Sequence, residues 1–146
     1  MKAIDQATIV FTSRSANEGF ARAAAACFAA QLDPTLDEVA DIKTAVSEAV
    51  TNAIVHAYPD RLGRVTMRLR LLEGGVLEVQ VKDSGVGIAD IEQAMQEGFS
   101  TAPDNIRTLG FGAGMGLPNM KRYSDEMEIT SEVGKGTTVR MSVYVK

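Results

Sequence analysis

The sequence predicts an α/β two-layer sandwich, a mostly antiparallel sheet covered by helices on one face. Three observations predict it. The spacing of apolar residues is helical through the first third of the chain and changes to strict alternation beyond Pro59. The alternating segments come in two pairs, each joined by a glycine-containing turn, which is the mark of a hairpin. Each alternating segment also keeps one polar face, so helices have a single side of the sheet to cover.

Taken in order, Ala7, Ile9 and Phe11 alternate with polar Thr8 and Thr12 and predict a short first strand. Ser15 with Glu18 reads as a capping box, followed at helical spacing by Phe20, Ala23, Ala24, Cys27 and Phe28 as a core stripe. Asp33-Pro34 ends that helix. Thr35 with Glu38 starts a second, long helix to about Ala57. Val65–Leu71 and Leu77–Val81 alternate around Glu73-Gly74-Gly75, and about Met127–Val133 pairs with Thr137–Val145 around Gly134-Lys135-Gly136. Between the hairpins a short helix is expected from about Ile91 to Gln96 and another from Leu117 to Tyr123, with little periodicity from Gly98 to Gly116. Long stretches of that kind in a compact domain are commonly functional.

The 146 residues suit one domain spanning 1–146. A formal charge of -4 and a pI near 5.0 argue against a nucleic-acid partner. Cys27 is the lone cysteine, which rules out an intramolecular disulfide and reads as a small core residue in a reducing compartment. The longest apolar run, Ala23 to Ala30, falls far short of the ~20 residues that span a bilayer. The expectation is a cytoplasmic protein with no membrane partner.

Four segments carry candidate chemistry. On the long helix, advancing about 100° per residue, Val39, Ile42, Val46, Val50 and Ala53 form the core stripe. Asp41, Glu48 and Asn52 fall together on the opposite side, within about 40°. Such a face is ordinarily solvated, but Asn52 is a mediocre helix former in a helix interior. Its amide oxygen is a hard ligand suited to Mg²⁺, and a carboxylate one turn away suits a general base. His56 is the single histidine, so a multi-histidine metal site is excluded.

Asp83-Ser84-Gly85-Val86-Gly87 follows a strand directly. It reads either as an ordinary turn or as a place where a ligand approaches the backbone, with Asp83 accepting a hydrogen bond from an exocyclic amine such as that of adenine. In Gly110-Phe111-Gly112-Ala113-Gly114-Met115-Gly116-Leu117-Pro118 four glycines alternate into a helix start, an arrangement that presents backbone N–H groups to phosphate. No Gly-Lys-Ser/Thr follows, so it is not a Walker loop, and no strand leads into it as a dinucleotide fingerprint requires. Gly136-Thr137-Thr138 opens the last strand, where a hydroxyl could serve the Asp83 pocket.

Glu48 to Ala53, Asp83 to Gly87, Gly114-Met115-Gly116 and Gly136-Thr137-Thr138 occur in the order found in the GHKL ATPase superfamily, which the chain resembles. Phe20-Ala21-Arg22, Gln31 to Thr35, Ile42 to Ile54 and Lys135 to Val139 narrow the resemblance to the bacterial anti-sigma serine-protein kinase family, in particular its sporulation branch. The Gly110–Leu117 stretch also resembles the stress-response kinases of that family.

The resemblance implies a Bergerat-type ATP site. Asn52 would bind Mg²⁺, and Asp83 would read the adenine amine with Gly85 and Gly87 shaping the purine pocket and Thr137 supporting it. Gly114, Met115, Gly116 and Leu117 would cradle phosphates, and Glu48 would take the proton from an attacking serine. It further implies two partners, a sigma factor and an anti-anti-sigma protein carrying that serine, and a homodimer. The chain departs from the family pattern at Thr101-Ala102-Pro103, which lacks the lysine expected after the threonine, and Arg107 is the sole cationic side chain between Phe99 and Gly116. Three functions follow for testing: a serine-protein kinase that sequesters a sigma factor, an ATP-gated partner-binding switch without kinase chemistry, and a detached histidine-kinase catalytic domain.

Overall fold

In the computed structural model, which describes residues 2–95 and 116–146, five strands form one antiparallel sheet. They are β1 (Ala3–Thr12), β2 (Arg64–Leu72), β3 (Val76–Asp83), β4 (Glu126–Glu132) and β5 (Gly136–Tyr144), in the spatial order β1-β2-β3-β5-β4. The helices are α1 (Ala16–Ala29), α2 (Leu36–His56), α3 (Ile91–Ala94) and α4 (Gly116–Arg122), with a 3₁₀ turn over Ala30–Leu32.

Alternation sets the layers. Val65, Met67, Leu69 and Leu71 of β2, Leu77, Val79 and Val81 of β3, and Val139, Met141 and Val143 of β5 are buried in one core with residues of α1, α2 and α4. The opposite face is polar. There Glu78, only 6% exposed, is ringed by Arg70 at 3.2 Å, Arg68 at 3.6 Å and Arg140 at 3.9 Å, cations that offset its loss of solvation. No helix among the described residues is long and apolar enough to cross a membrane.

The first strand is longer than the alternation indicated. It runs ten residues because pairing with β2, from Ala3↔Leu72 to Thr12↔Arg64, extends it past the apolar segment. The capping box at Thr35 and Glu38 forms as the sequence predicts, with reciprocal bonds of 3.1 and 2.9 Å. The one at Ser15 does not. Ser15 takes helical backbone angles and caps nothing, because Glu18 instead accepts a hydrogen bond from the Ser47 hydroxyl and pairs with Arg22 at 3.7 Å.

The core face of α1 is the expected one only in part: Ala24 and Phe28 pack half-buried against the core, but the rest of the stripe does not. Ala21, Ala25 and Ala29 are buried, whereas Phe20 is 53% exposed and Cys27 and Ala23 are exposed. α1 packs chiefly on α2, and a ladder of alanines at four-residue spacing lets two helices approach closely. On α2 the stripe of Ile42, Val46, Val50 and Ala53 is buried as expected, joined by Ala45 and Ala49, while Val39 is half-buried. The chain leaves α1 through Asp33 in the left-handed conformation at φ 51°, one residue before Pro34.

Candidate functional site

The sheet order brings the end of β3 beside the start of β5, with Lys82 opposite Thr138. Asp83, 5% exposed, therefore lies next to Thr137, and its Oδ1 accepts the backbone N–H of Gly85 at 3.0 Å and of Thr137 at 3.2 Å. Burial pushes the Asp83 carboxyl above its ordinary value, and the two N–H donors pull part of the way back. It is the backbone of Thr137, not its hydroxyl, that reaches Asp83. The hydroxyl bonds Ser131 Oγ at 2.8 Å.

The glycines of this turn are demanded by the protein itself. A β-carbon on Gly85 would collide with the Ala57 carbonyl, one on Gly87 with the Glu132 carbonyl, and one on Gly136 with the Asp83 carbonyl. Gly87 and Gly136 also have φ of +79° and +116°. The close approach read from Gly85 and Gly87 is thus made by neighbouring backbone. Val86 N–H bonds Ala57 O at 2.9 Å, Gly134 N–H bonds Val86 O at 2.9 Å, and Ile88 N–H bonds Ser131 Oγ at 2.7 Å. The Asp83–Ile88 segment is stitched to the end of α2 on one side and to the β4–β5 hairpin on the other.

Glu48 and Asn52 stand one turn apart on α2, both half-buried, so this face is not simply solvated. Asp41, which shares their side of the helix, is exposed. α4 packs on α2, anchored by buried Leu117 and Met120, and its Asn119 hydrogen-bonds Glu48. Burial raises the Glu48 carboxyl above its ordinary value; the Asn119 bond lowers it and the nearby Glu18 charge raises it further. Glu48 also closes one end of a groove of about 580 Å³ between α1 and α2, lined by Arg22, Lys43, Thr44 and Ser47 among others. His56 is half-buried, and burial lowers its imidazole below the ordinary value.

The structure thus gathers Asp83, Gly85, Gly87 and Thr137 at one end of the sheet. It sets Glu48 and Asn52 on the helix whose end is bonded to that turn. Gly116 opens α4, with the Leu117 side chain in the core so that only its backbone is free to meet a ligand. Gly114, Met115 and the rest of the glycine run lie outside the described residues. Three residues escaped sequence reasoning: Asn119, Ser131 and Tyr58, the last bonded to Ser84 N at 2.7 Å. Each acts through a partner distant in sequence and carries no local signal. No group of three or more His, Cys, Asp or Glu among the described residues is arranged to hold a metal.

A five-stranded antiparallel sheet covered by helices is the architecture of the histidine kinase-like ATPase class. Residues 11–143 match the family described as histidine kinase-like ATPase domain. The anti-sigma F factor of Caldanaerobacter subterraneus subsp. tengcongensis is 51% identical over 135 residues, covering 92% of this chain and 90% of that protein. The anti-sigma F factor of Geobacillus sp. (strain WCH70) is 47% identical over 135 residues, with 92% and 89% covered. Among solved structures, the RsbU and RsbW domains of Rv1364c from Mycobacterium tuberculosis superpose with a TM-score of 0.68 at 20% identity, over 97% of this chain and 32% of that one. The chain belongs to the histidine kinase-like ATPase domain family, within its group of anti-sigma F factors. Membership of this ATPase family implies that the chain binds ATP.

Proposed function

We propose that this chain is an ATP-dependent serine-protein kinase that also acts as an anti-sigma factor, holding a sigma factor and phosphorylating a serine on an anti-anti-sigma protein. The observation that carries the reading is the double placement of Glu48. The same carboxylate is bonded to Asn119 of the helix that follows the glycine run and forms one end of the α1–α2 groove, where a protein segment can enter. The names of the curated relatives support the sigma-factor half.

In this reading Asp83 Oδ2, which carries neither of the bonds to Gly85 and Thr137, accepts the adenine amine, and Thr137 backs it. Gly85 and Gly87 hold the turn that shapes the purine pocket. Backbone N–H groups of Gly114, Met115, Gly116 and Leu117 cradle the phosphates. The Asn52 oxygen fits Mg²⁺, an ion that keeps several waters and needs few protein ligands, and the ion would neutralise phosphate charge. Glu48, with its raised proton affinity, takes the proton of the partner's serine hydroxyl. The serine oxygen then bonds the γ-phosphorus, the bond to the bridging oxygen breaks, and ADP leaves with that electron pair. Arg22 and Lys43 face the groove as cationic contacts for the incoming segment. A homodimer in the cytoplasm is part of the same proposal.

The sparse charge of the sequence between Phe99 and Gly116, where Arg107 is the one cation, favours a second reading, nucleotide-gated binding without transfer. Labelled Mg-ATP with a candidate anti-anti-sigma protein separates the two. Wild type should yield acid-stable phosphoserine, Glu48→Gln should bind nucleotide but transfer none, and Asn52→Ala should lose Mg-ATP binding. Nucleotide-dependent partner affinity with no phosphoserine would establish the gating reading instead.

A further inference from the structure

We infer that Tyr58 is a positioning residue for base recognition, its hydroxyl fixing the Asp83–Ser84 turn against the end of the helix that carries Asn52. The inference rests on the nucleotide site proposed above. Tyr58 lies two residues past the last residue of α2 and is 6% exposed. Its hydroxyl donates to the Arg64 carbonyl at 2.6 Å and accepts the Ser84 N–H at 2.7 Å. The ring is held independently of that hydroxyl: Gly63 leaves it room that any β-carbon would occupy, and the Arg61 guanidinium sits 5.3 Å from its centroid.

Immediately before Tyr58, Ala57 makes the companion contact, accepting the Val86 N–H at 2.9 Å and abutting Gly85. Two consecutive residues at the end of α2 therefore grip Ser84, Gly85 and Val86. The opposite grip is the Thr137 N–H on Asp83. Asp83 precedes Ser84 directly, so freeing the Ser84 amide loosens the carboxylate on the α2 side while its β5 contact remains. The carboxylate's direction decides whether it meets an exocyclic amine squarely, and a poorly aimed hydrogen bond loses most of its value. Tyr58 thus links the metal-side helix to the purine-side strand and sharpens the choice of adenine over a base with a carbonyl at that position.

The test compares ATP with ITP, which carries a carbonyl in place of the amine. Tyr58→Phe keeps the ring and deletes the two hydrogen bonds. The expected result is a roughly tenfold loss of ATP affinity with ITP affinity little changed, so that the ATP-to-ITP ratio falls, and faster hydrogen exchange at the Ser84 amide. A merely structural role would lower the melting temperature and leave the ratio untouched; that result overturns the inference. Should Tyr58→Phe fail to fold, Arg61→Ala on the exposed loop loosens the ring and should move the ratio and the exchange the same way, a null result again overturning it. Wild type that binds ATP no better than ITP would overturn the Asp83 assignment itself, an outcome distinct from an unchanged ratio in the variant.

Discussion

Thr137 donates its backbone N–H to Asp83 Oδ1 across 54 residues of sequence, at 3.2 Å. Through this bond the last hairpin helps aim the carboxylate proposed to read adenine. Both backbone donors converge on Oδ1, which leaves Oδ2 for the recognition proposed above.

That division is separable by one atom. Asp83→Asn keeps a carbonyl oxygen for Gly85 and Thr137 but puts an NH₂ where adenine needs an acceptor. ATP affinity is expected to fall roughly 10²-fold or more, since a site built for a hydrogen bond discriminates strongly when it is mismatched. The melting temperature should stay near wild type. Calorimetric titration alongside a thermal melt checks both halves.

Glu48 titrates above its ordinary value of 4.5 because it is buried. The sign follows from linkage: a carboxyl raised in the folded state contributes stability that is complete below its unfolded value and is lost as pH rises through the folded value. Ionised Glu48 is therefore a cost near neutrality, and Glu48→Gln should melt at or above the wild-type temperature at pH 7.5, with the gap closing towards pH 4. Melts across that range settle it; a gap that widens on acidification contradicts the assignment.

Gly85 is pressed against the Ala57 carbonyl. Gly85→Ala forces a methyl into that oxygen and should cost about 2–4 kcal/mol in chemical denaturation, even without nucleotide. A near-neutral effect would mean that the end of α2 can step back from the turn.

Ser131 ties the turn after β3 to the start of β5: its Oγ accepts the Ile88 N–H and bonds Gly136 O at 3.1 Å and Thr137 Oγ1 at 2.8 Å. Ser131→Ala strands those groups, and about 1–3 kcal/mol of stability should be lost. Amide exchange at Ile88 should accelerate selectively, and uniform acceleration over the whole domain would count against a local role.

Much of the architecture was legible because alternation in β2, β3 and β5 reports directly which side faces the core. The Thr35 box was legible for the same reason, being a local reciprocal pair. The α1 reading failed where hydropathy ranks Phe20 and Cys27 above alanine, yet close packing on α2 selects Ala21, Ala25 and Ala29 for their size. Glu18 left its expected cap because Ser47, 29 residues away, offered a partner. The clustering of Asp83, Gly85 and Gly87 followed from one short motif. Asn119, Ser131 and Tyr58 did not, since each contact depends on how distant elements meet.

The carbonyl groups of Ala57, Glu132 and Asp83 leave no space for a side chain at positions 85, 87 and 136. Those three glycines would thus be retained by selection for folding in a paralogue that had lost all use for ATP. If the roles proposed for Asn52 and Glu48 hold, a degenerate copy should betray itself first at those two positions, so active and silent duplicates are better sorted by the helix than by the glycines.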